Sequence, residues 1–293
     1  MGQFFDKGIV QEKALSGEPI EFNGLFLYPL TVKQYGLFLA CESALTLRMS
    51  MLPAIYAAMN YGQAIFKMQL EQMLKQLPDQ QETQDDLQNG YYWTKFFQLL
   101  VCALRIPPQA ATESIKMAVD PENQTVLKAL IITQITDEGE YVVRISPSQI
   151  GQLRELIAYM NGVDIPDEAD NPELVQAEQD ILALQNRSDL EVNLLDLKAA
   201  IARDQRIRMK DLDEWTILEF NLIKQAIERD KHFMVCGIGE ASGMVKYKNG
   251  NPFPSPFFNR KHDSAAVISA QGFQQRIQGA VASVDSLPTN LPI

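Results

Sequence analysis

The chain has 293 residues, 46% of them hydrophobic and 22% charged, with 37 acidic against 26 basic side chains and a net charge of -11. That length suffices for two modest domains or one large core. The acidic balance argues against sequence-independent nucleic-acid binding and against an anionic membrane surface, both of which draw on Lys and Arg.

The N-terminus, MGQFFDKGIVQEK, has no basic region followed by an apolar core, so no secretory signal is read there. Position six is Asp where a myristoylation signal needs Ser or Thr. Residues 19–30, PIEFNGLFLYPL, alternate around Asn23-Gly24 and predict a short strand or a hairpin of two strands. Thr31 and Gln34 form a capping box. Val32, Tyr35 and Leu39 then fall at helical spacing, and helices are expected to about Leu77, broken near Pro53.

Residues 49–66 carry no formal charge and just reach membrane-span length. Pro53, Asn60 and Gln63 inside the run and sparse basic flanks favour a buried helix hairpin instead. Met51, Met59, Met68 and Met73 suit an adaptable packing surface, facing either the core or a partner. Residues 78–90 are polar and acidic, a loop or linker. The aromatic run 91–106 predicts a buried helix stopped by Pro107-Pro108.

Residues 126–145 hold two β-branched runs around Asp137-Glu-Gly-Glu140, a hairpin signal. Ser146, Pro147 and Gln149 start a helix with the stripe Ile150, Leu153, Ile157 and Met160. Residues 164–191 carry nine acidic side chains and one Arg. Asn171-Pro172-Glu173 starts a helix there, with Leu174, Ala177, Ile181 and Leu184 as its stripe. Leu190, Leu194, Leu197 and Ile201 give the next stripe, followed by the basic patch Arg203, Arg206, Arg208 and Lys210. Trp215 opens a helix to about Met234, with Leu218, Leu222, Ile223 and Ile227 inward and Glu219, Lys224, Glu228 and Arg229 outward. Residues 263–293 read as a loosely held tail.

The fold class is therefore mostly α with a small antiparallel β component (α+β): helical bundles plus one or two β-hairpins. The expected domains are 1–110, helical with a short hairpin; 111–262, a hairpin plus helices ending in a Pro-rich strap; and the tail 263–293.

Catalytic patterns are scarce. Gly237, Gly239 and Gly243 are one residue off a dinucleotide fingerprint. A helix precedes them and prolines follow, the reverse of the strand-then-helix context that a phosphate loop needs, so they read as a helix C-terminal turn. His232 and Cys236, four apart, share a helix face and supply two of the four ligands of a zinc site. No CxxC pair accompanies them, and they read as a solvated His and a packed Cys. The acids from Asp164 to Glu173 lack the ligand ladder and central Gly of a calcium loop. No GxSxG elbow is present. The three cysteines, Cys41, Cys102 and Cys236, do not make a disulfide framework and suit a reducing compartment. The basic patch reads as a solvated face able to dock an acidic partner helix. Asn249-Gly250 wants a turn with positive φ. Pro252, Pro254 and Pro256 then stiffen a strap whose anchors are Phe253, Phe257 and Phe258. Those rings pack either on the protein's own helices or on a partner.

Three blocks carry a resemblance. FNGLFLYPLTVKQYGLFL is similar to a pattern of tailed-phage proteins in which a short strand leads through Pro-x-Thr-x-x-x-Tyr into a helix. VVRISPSQIGQLRELIAYMNGVDIPDEADNPEL resembles a stretch of proteins from phages and prophages of Gram-positive bacteria. DEWTILEFNLIKQAIERDKHF followed by EASGMVKYKNGNPFPSPFF completes the theme, which spreads over residues 20–260. The resemblance implies a non-enzymatic tail-morphogenesis protein, nearest to a tail assembly chaperone that binds the tape measure protein or tail tube subunits before polymerisation. It implies the host cytoplasm, or the virion tail, as location, with no nucleic acid, membrane, cofactor or metal. The partner-binding candidates are Met51, Met59, Met68, Asn249, Gly250, Phe253, Phe257 and Phe258. The rivals are a permanent component of tail or baseplate, and a metal-dependent enzyme.

Overall fold

The computed structural model describes residues 5–75, 91–136, 139–165, 193–247, 252–253 and 255–257. The linker expected at 78–90, the helix expected from Asn171 and the tail 263–293 lie outside these residues. Contacts divide the chain into two units, the first taking the described residues through 165 and 193–227, the second those from Glu228 onward. This division does not part the chain at residue 110. One buried core holds Leu27, Phe38 and Phe96 from before it and Leu130, Ile157 and Phe220 from after it. Parting the chain at 110 would return that apolar surface to water, at about 25 cal/mol per Å².

In the first unit the expected α+β class holds: helices accompany two small antiparallel sheets. Asp6 caps helix α1 (Lys7–Leu15), its carboxylate accepting from the N–H groups of Gly8 and Ile9. Strands β1 (Ile20–Phe22) and β2 (Leu25–Leu27) pair across Asn23 and Gly24, at φ 53° and 86°. Positive φ at both positions is what a two-residue hairpin turn demands, and Asn-Gly supplies it.

From Phe26 to Val32 the chain donates an N–H at every second residue, each to a different element. Phe26 donates to Gln134 Oε1 at 2.8 Å, Tyr28 to the Ala103 carbonyl at 2.7 Å, Leu30 to Asn161 Oδ1 at 3.0 Å and Val32 to the Trp215 carbonyl at 2.9 Å. Pro29 occupies an intervening position, where its missing N–H is not needed. The capping box then forms, with Gln34 Oε1 accepting from the Thr31 N–H at 3.0 Å. It leads through a 3-10 turn into α2 (Tyr35–Cys41) and α3 (Ser43–Thr46).

The buried helix hairpin expected over 49–66 is corrected. After Pro53 comes a single turn, α4 (Ala54–Ala57), with no buried residue. Burial resumes at Tyr61, Ala64, Ile65 and Phe66 in α5 (Tyr61–Lys75). Helix α6 (Tyr92–Ala103) is buried as expected through Trp93, Phe96, Leu99 and Leu100. It stops before the prolines, where Arg105 turns the chain at φ 54°.

A short helix α7 (Ala111–Ser114) runs into strand β3 (Ile115–Val119), which the sequence pattern did not signal. The hairpin at 126–145 forms as β4 (Leu127–Thr136) and β5 (Gly139–Ile145), giving the order β3-β4-β5. In helix α8 (Pro147–Met160), Gln149 Oε1 accepts from the Ser146 N–H at 2.8 Å, and all four expected stripe residues are fully buried. Helix α9 (Leu194–Gln205) buries Ile201, with Leu194 and Leu197 half-buried.

Helix α10 (Ile217–Ala241) runs past the expected end at Met234. It buries Leu218 and Phe220 and half-buries Ile223 and Ile227, but Leu222 is 44% exposed and not inward. The inward line runs through Phe220, Ile223 and Ile227. Leu222, two residues on from Phe220, stands about 160° round the helix from it.

Two glycines make opposite predictions for one substitution. A Cβ at Gly62 in α5 would stand 2.6 Å from the Pro147 carbonyl oxygen and 2.8 Å from Ile150 Cδ1, whereas one at Gly36 in α2 meets nothing within 4 Å. Gly62→Ala is expected to lower stability by about 2 kcal/mol despite the better helix propensity. Gly36→Ala is expected to raise it by about 0.5–1 kcal/mol. Urea unfolding of both variants measures the two signs. Gln134→Leu strips the Phe26 N–H and C=O of their partner in a buried site, with an expected loss of about 2–4 kcal/mol by the same measurement.

Candidate partner-binding surface

In the second unit, helix α10 continues from Glu228 with few apolar residues, but Met234, Val235 and Ile238 fall at i, i+1 and i+4 and so share a face. They are 48%, 67% and 70% exposed. The helix closes as the glycines predicted, with a C-terminal turn rather than a phosphate loop. Gly243 takes φ 71°, and the N–H groups of Ser242 and Gly243 donate to Ile238 and Glu240 carbonyls at 2.9 and 3.1 Å. Gly237 and Gly239 remain inside the helix. Past the turn, Met244 and Val245 extend the run of exposed apolar residues.

The strap meets this helix. The Phe253 ring lies on the His232 imidazole, with centroids 4.7 Å apart and planes tilted by 30°. Arg229 donates to the Phe257 carbonyl at 2.8 Å, while the Phe257 side chain is 75% exposed. Of the two described anchors, Phe253 packs on the protein's own helix and Phe257 turns outward. Asn249, Gly250 and Phe258 lie outside the described residues. The Tyr247 hydroxyl hydrogen-bonds Cys236, and that bond holds its pKa above the usual tyrosine value. His232 and Cys236 are thus both engaged by aromatic residues that follow the helix. Among the described residues no group of three or more His, Cys, Asp or Glu is placed to hold a metal ion.

The methionine candidates belong to the first unit. Met59 is half-buried in the connection between α4 and α5, and Met68 is half-buried on α5. Met51 closes a 3-10 turn, and its side chain is outside the described set. In the basic patch, Arg203, Arg206, Arg208 and Lys210 are all exposed. Arg208 forms a two-bond pair with Asp211, at 3.0 and 2.9 Å, which holds the Asp211 carboxyl below its ordinary pKa. The patch is a solvated face, as expected. The apolar face at Met234, Val235 and Ile238 is not signalled by the helical stripe read from the sequence, which ends near Met234, ahead of the glycines. Its signal was there in the i, i+4 spacing of Met234 and Ile238.

No family model, curated protein or solved structure matches the chain. Among the described residues no helix is long and apolar enough to cross a membrane.

The exposure of Val235 and Ile238 makes a stability prediction. Replacing both with Ser should change unfolding free energy by less than about 0.5 kcal/mol, as for other surface positions. A loss above about 1 kcal/mol in urea unfolding would mean that another part of the chain covers this face.

Proposed function

We propose that the chain is a non-enzymatic phage tail-assembly protein, a chaperone of the host cytoplasm that holds a tape measure or tail tube subunit before the tube polymerises. The observation that carries the reading is the exposed apolar face of Met234, Val235 and Ile238. A folded protein that keeps such residues together in water has a use for them in association. Methionine adapts to partners of different shape, which suits a protein that must accept an unassembled subunit and then release it. The nature of the partner comes from the resemblance of the three sequence blocks to tailed-phage proteins.

The test is to tag the protein in cells that are producing phage particles. Mass spectrometry should identify a tape measure or tail tube subunit bound before assembly, and the tag should be absent from finished particles. The Val235→Ser, Ile238→Ser double variant should lose the subunit while remaining folded. Fixed copy number in sedimented particles would make the protein a permanent part of the tail instead. Failure to capture any tail protein would overturn the reading.

A further inference from the structure

Strand β5 lies at the edge of its sheet, paired with β4 on one side. An edge strand directs every second N–H and C=O away from its neighbour, which makes it a template for another strand. Tyr141, Val143 and Ile145 turn toward the protein; the Tyr141 ring meets Phe26 edge-on at 6.1 Å, and Ile145 is fully buried. Glu140, Val142 and Arg144 take the opposite face and are exposed, Val142 at 63%.

The order of those three side chains is self-complementary. Glu140 and Arg144 stand at equal distances on either side of Val142 and carry opposite charges. When two copies of β5 run antiparallel about a twofold axis through Val142, Glu140 of each faces Arg144 of the other. Val142 then faces its own copy. Opposite charges directly across an antiparallel pair attract, and β-branched residues pack well there.

The registers already in the sheet extend the match. Ile135 pairs with Glu140, and Arg144 pairs with Ile131, which pairs in turn with Lys116. Joining the two edges therefore gives rows that read Ile135, Glu140, then Arg144, Ile131 and Lys116 of the second copy. Charges placed on an edge to block pairing would be of one sign, because they must repel in the self-paired arrangement. Here they are of two signs, symmetric about an exposed valine.

We infer that two copies of this chain associate through β5 in antiparallel register centred on Val142, forming a continuous six-stranded sheet. The inference concerns self-association alone and stands or falls separately from the tail-assembly reading. Edge pairing lies at the small end of interface sizes, so the association is a concentration-dependent equilibrium.

Sedimentation equilibrium of the full chain tests it. The wild type should form dimers. Glu140→Arg or Arg144→Glu alone turns both cross-strand ion pairs repulsive and should weaken dimerisation about tenfold or more. The double exchange, Glu140→Arg with Arg144→Glu, restores opposite charges and should recover the wild-type constant within about threefold. Independently, Val142→Cys should yield an oxidised dimer whose linking peptide joins residue 142 to residue 142, since facing residues in a ladder lie within disulfide reach. A wild type that stays monomeric at all concentrations overturns the inference. So does a dimer that ignores the single reversals, or one that the double exchange does not restore.

Discussion

The fold of the first unit depends on the satisfaction of one backbone segment, Phe26 to Val32. It runs through apolar surroundings in which Leu25, Leu27 and Leu30 have no exposed area. Each N–H there must find an acceptor, because a buried donor left alone costs about 1–3 kcal/mol. No single strand supplies them. The acceptors come from β4, the end of α6, the residue after α8 and Trp215, two residues before α10. The return bond from the Ile217 N–H to the Leu30 carbonyl, at 2.9 Å, closes the last junction. One extended segment thus ties four elements together, and the two-residue rhythm of its donors is what lets Pro29 sit among them.

Long polar side chains do the same for neighbouring segments. The Gln134 amide meets the Phe26 backbone on both sides, accepting from N–H and donating to C=O at 2.8 Å each. It acts as one more peptide group and joins the two sheets. The Gln63 amide treats the approach to β4 alike, donating to the Thr125 carbonyl and accepting from the Leu127 N–H at 2.9 Å. Arg154, 5% exposed, donates to the Leu45 and Leu47 carbonyls at 2.7 and 2.6 Å with its guanidinium 4.5 Å over the Tyr61 ring. Tyr61 in turn donates to the Ala44 carbonyl at 2.6 Å, and burial raises its pKa. The chain at 44–47 is held by these bonds as α3 ends.

Local signals were legible in the sequence because their cause is local. Asn23-Gly24 needs only its own dihedrals, and Gln34 and Gln149 each reach back three residues. The stripe of α8 was legible because one whole face is buried. What the sequence hid is separated along the chain. Gln134 meets Phe26 at a separation of 108 residues, and Asn161 meets Leu30 at 131. Nothing near Gln134 distinguishes a polar residue facing water from one facing a buried backbone. The join across residue 110 is hidden for the same reason: one core takes residues from both sides of a Pro-Pro break that is only a turn. At the candidate surface, the strap's contact through Phe253 was one of two stated alternatives, and the exposed face of α10 was missed. Glycine has low helix propensity, yet Gly237 and Gly239 did not end this helix; Gly243 did, where positive φ is required.

The two units satisfy their side chains in different ways, and this bears on what each can do. In the first, polar groups bind the backbone of distant segments, so moving one element breaks bonds in several others. Such a network specifies one arrangement. In the second, the described contacts are between the helix and the residues that follow it: Phe253 on His232, Phe257 on Arg229 and Tyr247 on Cys236. These occupy other positions on the helix and leave Met234, Val235 and Ile238 exposed. Ordering a surface on binding costs conformational entropy, and a face already presented by a formed helix avoids most of it. The network of the first unit holds its elements to one arrangement, while the described contacts of the second leave one apolar face of its helix in water.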